Sequence, residues 1–194
     1  YSHQVNQNVI APIIGEYDNP MEQSQGLVIL DLTNQGNTLI YGASGSGKEN
    51  LLTTMLFSIV TEHTPEEVNI YILDFGSGFL QTFHKISHVG EVVTIDDAEK
   101  LVDTFKMLDK ELESRKTLFA DYGGSYVDYC SNSGNKLPLI VTVINNYDIF
   151  VENYANISEQ VQTLYRDGSK YGIVFVITVI STSAVRARMM QNFT

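Results

Sequence analysis

Gly42-Ala43-Ser44-Gly45-Ser46-Gly47-Lys48-Glu49 stands between an apolar run, Thr38 to Tyr41, and a segment with apolar residues at Leu51, Leu52, Met55, Leu56, Ile59 and Val60. The run before the loop predicts a strand, and the spacing of three and four after it predicts a helix with one buried stripe. A strand, a glycine-rich loop and a helix in that order fit G-x-x-x-x-G-K-[ST], the phosphate-binding loop, at both glycines, the lysine and the spacing. Glycine is needed there because successive backbone N–H groups must turn inward around phosphate oxygens. Lys48 is expected to reach β- and γ-phosphates, and the helix N-terminus adds the positive end of its dipole. Gly42, Ala43, Ser44, Gly45, Ser46, Gly47, Lys48 and Glu49 are therefore the candidate nucleotide-binding residues, with ATP as the expected ligand.

The eighth position departs from the pattern. A hydroxyl normally ligates Mg²⁺ there, and this chain has Glu49. Three placements stay open. Glu49 could ligate the metal, sit in the anion site beside Lys48 and repel phosphate, or turn outward as a first-turn acid favoured by the dipole. The expectation is impaired or Mg²⁺-independent nucleotide binding. No metal ligands are assigned, and whether Mg²⁺ is held stays open.

Turnover also needs an apolar strand ending in an acid that orders the metal, often with a glutamate that polarises water. Two strands compete for this part. Val68 to Leu73 ends in Asp74, followed by the turn Phe75-Gly76-Ser77-Gly78; Leu139 to Ile144 ends in Asn145-Asn146-Tyr147-Asp148. Two amides neither hold Mg²⁺ as carboxylates do nor accept a proton at neutral pH. Loss of a general base costs about 10²–10⁴ in rate. Asp148 reads as a turn residue.

Further out, Leu27 to Leu32 and Thr38 to Tyr41 are expected to pair through a tight turn at Asn34-Gln35-Gly36, after another turn at Tyr17-Asp18-Asn19-Pro20. His63-Thr64-Pro65 should end the first long helix. Val92 to Ile95 is a short strand candidate. Asp97 is expected to cap a long helix carrying Leu101, Val102, Phe105, Leu108, Leu112, Leu118 and Phe119, with Lys110, Glu111, Glu113 and Lys116 on its solvated face. Residues 123–136 read as a loop with at most one short helical turn. Asn156 is expected to cap a helix through Ile157, Val161 and Leu164 that stops at Gly168. Ile173 to Ile180 is the most apolar strand, and Ala184 to Phe193 reads as helix. Strands of near-continuous apolar character alternating with helices predict an α/β fold, a mostly parallel central sheet in a three-layer sandwich. Residues 1–13 read as a linker and 14–194 as one domain.

The chain carries 12 Lys+Arg against 23 Asp+Glu, a net charge of −11 over 194 residues. Sequence-independent nucleic-acid binding relies on a basic face, so that partner is disfavoured. No apolar stretch reaches the roughly 18–20 residues of a bilayer span. Cys130 is the one cysteine, so no intrachain disulfide forms; it reads as an inert thiol in a Ser/Asn/Gly loop. His84 and His88 have a spacing compatible with a metal pair on a helix, without a third ligand in view. Arg186 and Arg188 are candidates for arginine fingers serving a neighbour's nucleotide, against the plainer reading of a solvated helix face.

Taken together, several segments resemble the FtsK/SpoIIIE-type ATPase modules of the type VII secretion ATPase. They are Gly15-Glu16-Tyr17-Asp18-Asn19-Pro20 with Gln23 and Gln25, Gly42 to Lys48, Leu73-Asp74-Phe75-Gly76-Ser77-Gly78, Asn145-Asn146-Tyr147-Asp148 and Ser181-Thr182-Ser183-Ala184-Val185-Arg186. The likeness runs from about Ile14 to the end and is most similar to the second module. It implies a RecA/FtsK-like P-loop NTPase fold, with Asn145 at the metal-ordering acid position and Asn146 at the catalytic glutamate position. Thr178 falls at a polar sensor position, against the plainer reading of an ordinary strand threonine. It further implies placement at the cytoplasmic side of the membrane within a membrane-anchored protein, adjacent ATPase modules on the same polypeptide, a hexameric motor and small WXG-type secreted substrates. The oligomeric state of the isolated domain stays open. Three functions are weighed: a degenerate ATP-binding module for assembly, regulation and substrate docking; an active Mg²⁺-dependent ATPase; and a nucleotide-free interaction module. A DNA translocase fits the charge worst.

Overall fold

The computed structural model describes residues 9–181, 183 and 185–194, and of Arg188 only the backbone. Residues 1–8 of the expected linker, Thr182, Ala184 and the Arg188 side chain lie outside the described residues. Five strands form one parallel sheet in the order β3-β7-β6-β4-β5: β3 (Thr38–Tyr41), β4 (Val68–Asp74), β5 (Val89–Thr94), β6 (Leu139–Asn145) and β7 (Ile173–Val179). Every residue of β6 and of β7 is buried. Their uninterrupted apolar sequences follow from this, since helices cover both faces and neither face needs polar residues.

Side chains alternate across the sheet. Val141 and Val143 of β6 and Val174 and Val176 of β7 join Leu52, Met55, Leu56 and Ile59 of α2 (Lys48–Glu62) in one core. Ile140, Ile144, Phe175 and Ile177 point the other way. They pack against α3 (Ala98–Phe119), α5 (Tyr147–Asn153) and α7 (Gln162–Asp167) through Leu101, Phe105, Leu108, Phe150 and Leu164. This is the expected three-layer sandwich.

The N-terminal third differs from the sequence reading. The hairpin is formed by β1 (Ile13–Asn19) and β2 (Ser24–Ile29), a separate two-stranded antiparallel sheet turning at Pro20 to Gln23. Asn34-Gln35-Gly36 makes no strand turn. It belongs to the helical turn α1 (Leu32–Gln35) and its C-cap, and Asp31 Oδ1 accepts the Asn34 N–H at 2.9 Å. Local hydrogen bonding by the aspartate outcompetes a hairpin there. β3 joins β7 instead of β2, because only the large sheet buries it. Ile10, placed by sequence in the linker, is fully buried and its N–H donates to Thr33 Oγ1 at 2.8 Å.

Other boundaries shift for local reasons. Asp97 stands at the N-cap of α3, but its carboxylate accepts the Thr94 hydroxyl at 2.9 Å rather than a helix N–H. Asn156 lies inside α6 (Ala155–Gln160), whose N-cap is Tyr154, and the helix expected through Leu164 is broken at Val161 into α6 and α7. Residues 123–136 hold α4 (Tyr126–Asn132), which carries the half-buried Cys130. Burial pushes the Cys130 thiol pKa up, against smaller opposing contacts from Tyr126, Leu137 and Arg115. The C-terminal helix is short, α8 (Ala187–Met190). His84 lies in the last turn of a 3₁₀ segment, Phe79 to Lys85, and bonds Gln81 O, whereas His88 is buried and bonds His63 O. They do not form a pair on one helix.

Within α3, Arg115 turns inward. It is 1% exposed and its guanidinium donates to the carbonyls of Pro138, Tyr171 and Gly172 at 2.8–3.0 Å and to Glu111 at 2.8 Å. It thereby ties the helix to the N-terminal ends of β6 and β7.

Candidate functional site

At the C-terminal ends of β3, β4, β6 and β7 four loops meet around a cleft of about 410 Å³, lined by Ser44 to Glu49, Gly76, Ser77, Asn145, Asn146 and Ile180. In parallel α/β sheets ligands bind outside the carboxyl ends of the strands. The loop from Gly42 to Gly47 turns through Gly45 and Gly47, with φ of +74° and +88°, a region that disfavours side chains. Gly42 is needed for space, since a Cβ there would collide with Ser46 Oγ. The sequence requirement for glycine thus has two separate causes within one loop.

Gly47 is the N-cap of α2 and supplies no side-chain cap. The first N–H groups of α2 therefore have no intrahelical partner and face the cleft, an anion-binding arrangement. Lys48 Nζ donates to the carbonyls of Gly42 and Ala43, closing the loop on itself. A phosphate entering the loop would compete with those two carbonyls for the ammonium.

Glu49 takes a place that none of the three sequence alternatives describes fully. Its carboxylate reaches across the cleft to the loop after β4. Oε1 accepts the Ser77 N–H at 3.0 Å and the Asn145 side-chain amide at 2.9 Å, and Oε2 accepts the Ser77 hydroxyl at 2.8 Å. It does not turn outward. Burial acts to raise its pKa, but the Ser77 N–H, the Asn145 amide, the Ser77 hydroxyl and the Lys48 charge outweigh burial and hold it below the usual carboxylate value. A Cβ on Gly76 would lie 2.6 Å from Glu49 Oε1, so this approach requires glycine.

Asn145 is the hub. Its register partner on β4 is Asp74, and its amide donates to Asp74 Oδ1 at 3.0 Å as well as to Glu49. Its Oδ1 accepts the Thr178 hydroxyl at 2.9 Å. Thr178 is fully buried behind it and in turn accepts the Asn146 N–H at 2.8 Å. Asp74 also receives the N–H groups of Gly76 and Leu80, so this buried carboxylate shapes the loop that carries Ser77. Asn146 has φ +63°, ψ +63°, tolerated by asparagine, and its Oδ1 is buried without a partner among the described residues. Asp148 lies in the first turn of α5, where it accepts the N–H groups of Ile180 (2.7 Å) and Ser181 (3.1 Å). It holds the loop that brings Ile180 to the cleft.

The structure therefore brings together the loop 42–49, Asn145 and Asn146, with Thr178 beneath them. Arg186 stands apart, paired to Glu159 at 2.7 Å on the surface. Sequence reading missed the roles of Ser77 and Asp148. The glycines on either side of Ser77 were its one available signal, marking a loop able to approach another backbone closely.

The site can hold an anion on backbone amides and one lysine. Beside it, the carboxylates of Glu49 and Asp74 are bridged by the Asn145 carboxamide. Mg²⁺ prefers octahedral oxygen ligands with one or two carboxylates. Glu49 and Asp74 offer such oxygens, but those oxygens are engaged by the Asn145 amide, the Ser77 hydroxyl and backbone N–H groups.

Comparison with known proteins agrees with this geometry. The FtsK/SpoIIIE family model matches residues 10–194. The ESX secretion system protein EccC of Geobacillus thermodenitrificans is 31% identical over 180 residues, 92% of this chain and 12% of that protein. The structure of EssC (ATPases 2 and 3) from Geobacillus thermodenitrificans superposes with TM-score 0.86 at 30% identity, covering 98% of this chain and 37% of that one. Thermomonospora curvata EccC (ATPases 2 and 3), in complex with a signal sequence peptide, does so with TM-score 0.87 at 26% identity, covering 99% and 36%. The chain thus spans a small part, 12%, of the length of the curated relatives it matches. A parallel sheet with a phosphate loop at its carboxyl end, matched along almost its whole length, makes this chain a member of the FtsK/SpoIIIE family.

Proposed function

We propose that the chain is a degenerate ATP-binding module of a type VII secretion motor, serving assembly, regulation and substrate docking with little or no hydrolysis. The observation that carries this reading is the bond from the Asn145 amide to Glu49, which joins the two positions where a hydroxyl and a carboxylate would otherwise grip Mg²⁺. Gly42 to Glu49 form the phosphate cradle, Lys48 neutralises the phosphates, and Asn145 and Asn146 stand at the metal-ordering and water-polarising positions without the acidity either task needs. Thr178 holds the Asn145 side chain and the Asn146 backbone N–H from behind. Mg²⁺, when present, would supply charge neutralisation at the β- and γ-phosphates; the residues here that could hold it are Glu49 and Asp74.

By analogy with relatives that carry ATPases 2 and 3 in one chain, the module corresponds to the second ATPase of a membrane-anchored polypeptide at the cytoplasmic side. Its partners are adjacent ATPase modules and, in the full motor, hexamer neighbours. The signal sequence peptide bound by the Thermomonospora relative supports a secreted-protein client, which in this reading is of the small WXG type. Among the described residues no helix is long and apolar enough to cross a membrane.

A second reading, an active Mg²⁺-dependent ATPase, is favoured by one contact: Asp74, an acid at the end of β4, lies with its Oδ1 3.0 Å from the amide of Asn145, which lines the cleft. Titration of fluorescently labelled ATP with and without EDTA, alongside a phosphate-release assay, separates the readings. Binding that survives EDTA and is lost in Lys48→Ala, without phosphate release, is the expected result. Mg²⁺-dependent turnover lost in Lys48→Ala selects the enzyme. Absence of binding under both conditions selects a nucleotide-free interaction module.

A further inference from the structure

Eleven large hydrophobic residues stand exposed among the described residues, and five of them, Tyr17, Met21, Leu27, Val28 and Ile29, lie on the β1–β2 ribbon. One edge of this ribbon is used: β1 packs along α2, and the Ile13 N–H donates to Ser58 Oγ at 2.9 Å. The other edge is β2, which pairs with β1 and with no other described strand. A two-stranded hairpin is marginal alone, and natural proteins blunt free edges with lysine, proline or a covering segment. From Ser24 to Ile29 the edge strand has neither lysine nor proline, and it ends in three consecutive exposed aliphatic residues.

Charge and register say what would cover it. Between residues 9 and 47 the chain carries Glu16, Asp18, Glu22 and Asp31 and no lysine, arginine or histidine. Glu16 pairs with Leu27 and Asp18 with Gln25, which puts these acids on the same ribbon face as Leu27. Tyr17, Gly26 and Val28 form the opposite, uncharged face, with the Tyr17 ring against Gly26, where a Cβ would meet Tyr17 Oη at 2.8 Å. An added strand would therefore meet acids across Leu27 on one face and apolar surface on the other.

We propose that the free edge of β2 is a docking site for an extended strand of a partner protein in which basic and apolar residues alternate. Backbone pairing to β2 gives affinity and the alternating side chains give specificity. Basic side chains lay their aliphatic stems over Leu27 and carry their charges to Glu16 and Asp18, while apolar ones pack beside Val28 and Tyr17. A second copy of this ribbon is disfavoured because it would set acid against acid.

The test uses the full chain and two synthetic octapeptides, one alternating Lys and Val and the other alternating Glu and Val. Amide hydrogen exchange, read residue by residue, should slow about tenfold or more in 24–29 with the Lys-Val peptide. Binding should weaken as salt is raised and should be lost in Leu27→Lys/Ile29→Lys, whose exposed positions leave folding intact. Glu16→Gln/Asp18→Asn should weaken it while preserving the ribbon. The proposal is overturned by equal binding of the Glu-Val peptide, by protection elsewhere on the chain or by no binding. Protection of 24–29 in the free chain would overturn it too, through self-association seen in sedimentation or through coverage by residues 1–8 revealed by their deletion. None of these readouts depends on nucleotide, so the result stands apart from the function proposed for the cleft.

Discussion

The Asn145 side-chain amide donates to Glu49 Oε1 at 2.9 Å, and with this bond the first turn of α2 is joined to the end of β6 across 96 positions of sequence. The same amide reaches Asp74 on β4 at 3.0 Å. One carboxamide thus satisfies two acids that would otherwise repel each other, a task usually given to a cation in sites of this kind. The chemistry of the cleft follows from what this contact permits and what it blocks.

Replacing Glu49 by serine removes the carboxylate from the phosphate side and restores a hydroxyl. Glu49→Ser is expected to strengthen Mg²⁺-dependent ATP binding without giving turnover, because Asn145 and Asn146 remain amides. Calorimetry with and without EDTA checks this; an unchanged affinity would mean that Glu49 does not act on the phosphates.

Adding Asn145→Asp and Asn146→Glu to that variant should give measurable phosphate release. The second change carries a cost read from the backbone: Asn146 sits at φ +63°, where a residue other than glycine or asparagine is disfavoured by about 1–2 kcal/mol. The triple variant should therefore melt below the Glu49→Ser/Asn145→Asp double variant. Silence from a folded triple variant would show that partner residues or oligomerisation complete the site.

The depressed pKa of Glu49 predicts a pH dependence with a defined sign. Burial would raise it, but the bonds from Ser77 and Asn145 and the Lys48 charge prevail. A group whose pKa is lower folded than unfolded stabilises the fold fully above its unfolded value of about 4.3 and loses that contribution as pH falls through the folded value. Urea unfolding between neutral and acid pH should show a smaller acid loss in Glu49→Gln than in the unmodified chain. Equal losses would mean that the Ser77 and Asn145 bonds do not favour the ionised form.

Gly76→Ala should open the cleft from the other side. Its new Cβ would press within 2.6 Å of Glu49 Oε1 and against the Asn145 amide, so one of them must withdraw. A loss of about 1–3 kcal/mol in stability is expected from the strain, with faster exchange of the Ser77 amide. An unchanged Ser77 exchange rate would contradict the tight approach.

Arg115→Ala should destabilise the domain by about 3–5 kcal/mol, the usual consequence of removing one partner from a buried charged network. Three carbonyls, of Pro138, Tyr171 and Gly172, would lose their donor. Arg115→Lys should recover only part of the loss, since an ammonium lacks the planar fork that serves several acceptors at once. The midpoint of denaturant unfolding is the readout, with nucleotide binding unaffected in the folded fraction.

Much of this molecule was legible from local pattern. The phosphate loop announces itself by glycine spacing, and α2, β4, β6 and β7 by apolar periodicity, because each of these elements meets its requirements within a dozen residues. The hairpin was misread because Leu27 to Leu32 and Thr38 to Tyr41 look alike as strands, and only competition for the large sheet decides that the latter leaves. Arg115 was not singled out from the sequence, since no local signal marks a guanidinium whose carbonyl acceptors lie 23 to 57 residues away.

By itself the sequence determined the parallel sheet, the glycine-rich loop between strand and helix, and a glutamate where the loop pattern carries a hydroxyl, for these depend on residue type and near-neighbour spacing. Tertiary structure alone decided where Glu49 points and which groups occupy its oxygens. That choice depends on the register of β6 against β4, on the loop approach that Gly76 allows and on Ser77, contacts between segments that meet only when the whole sheet has closed.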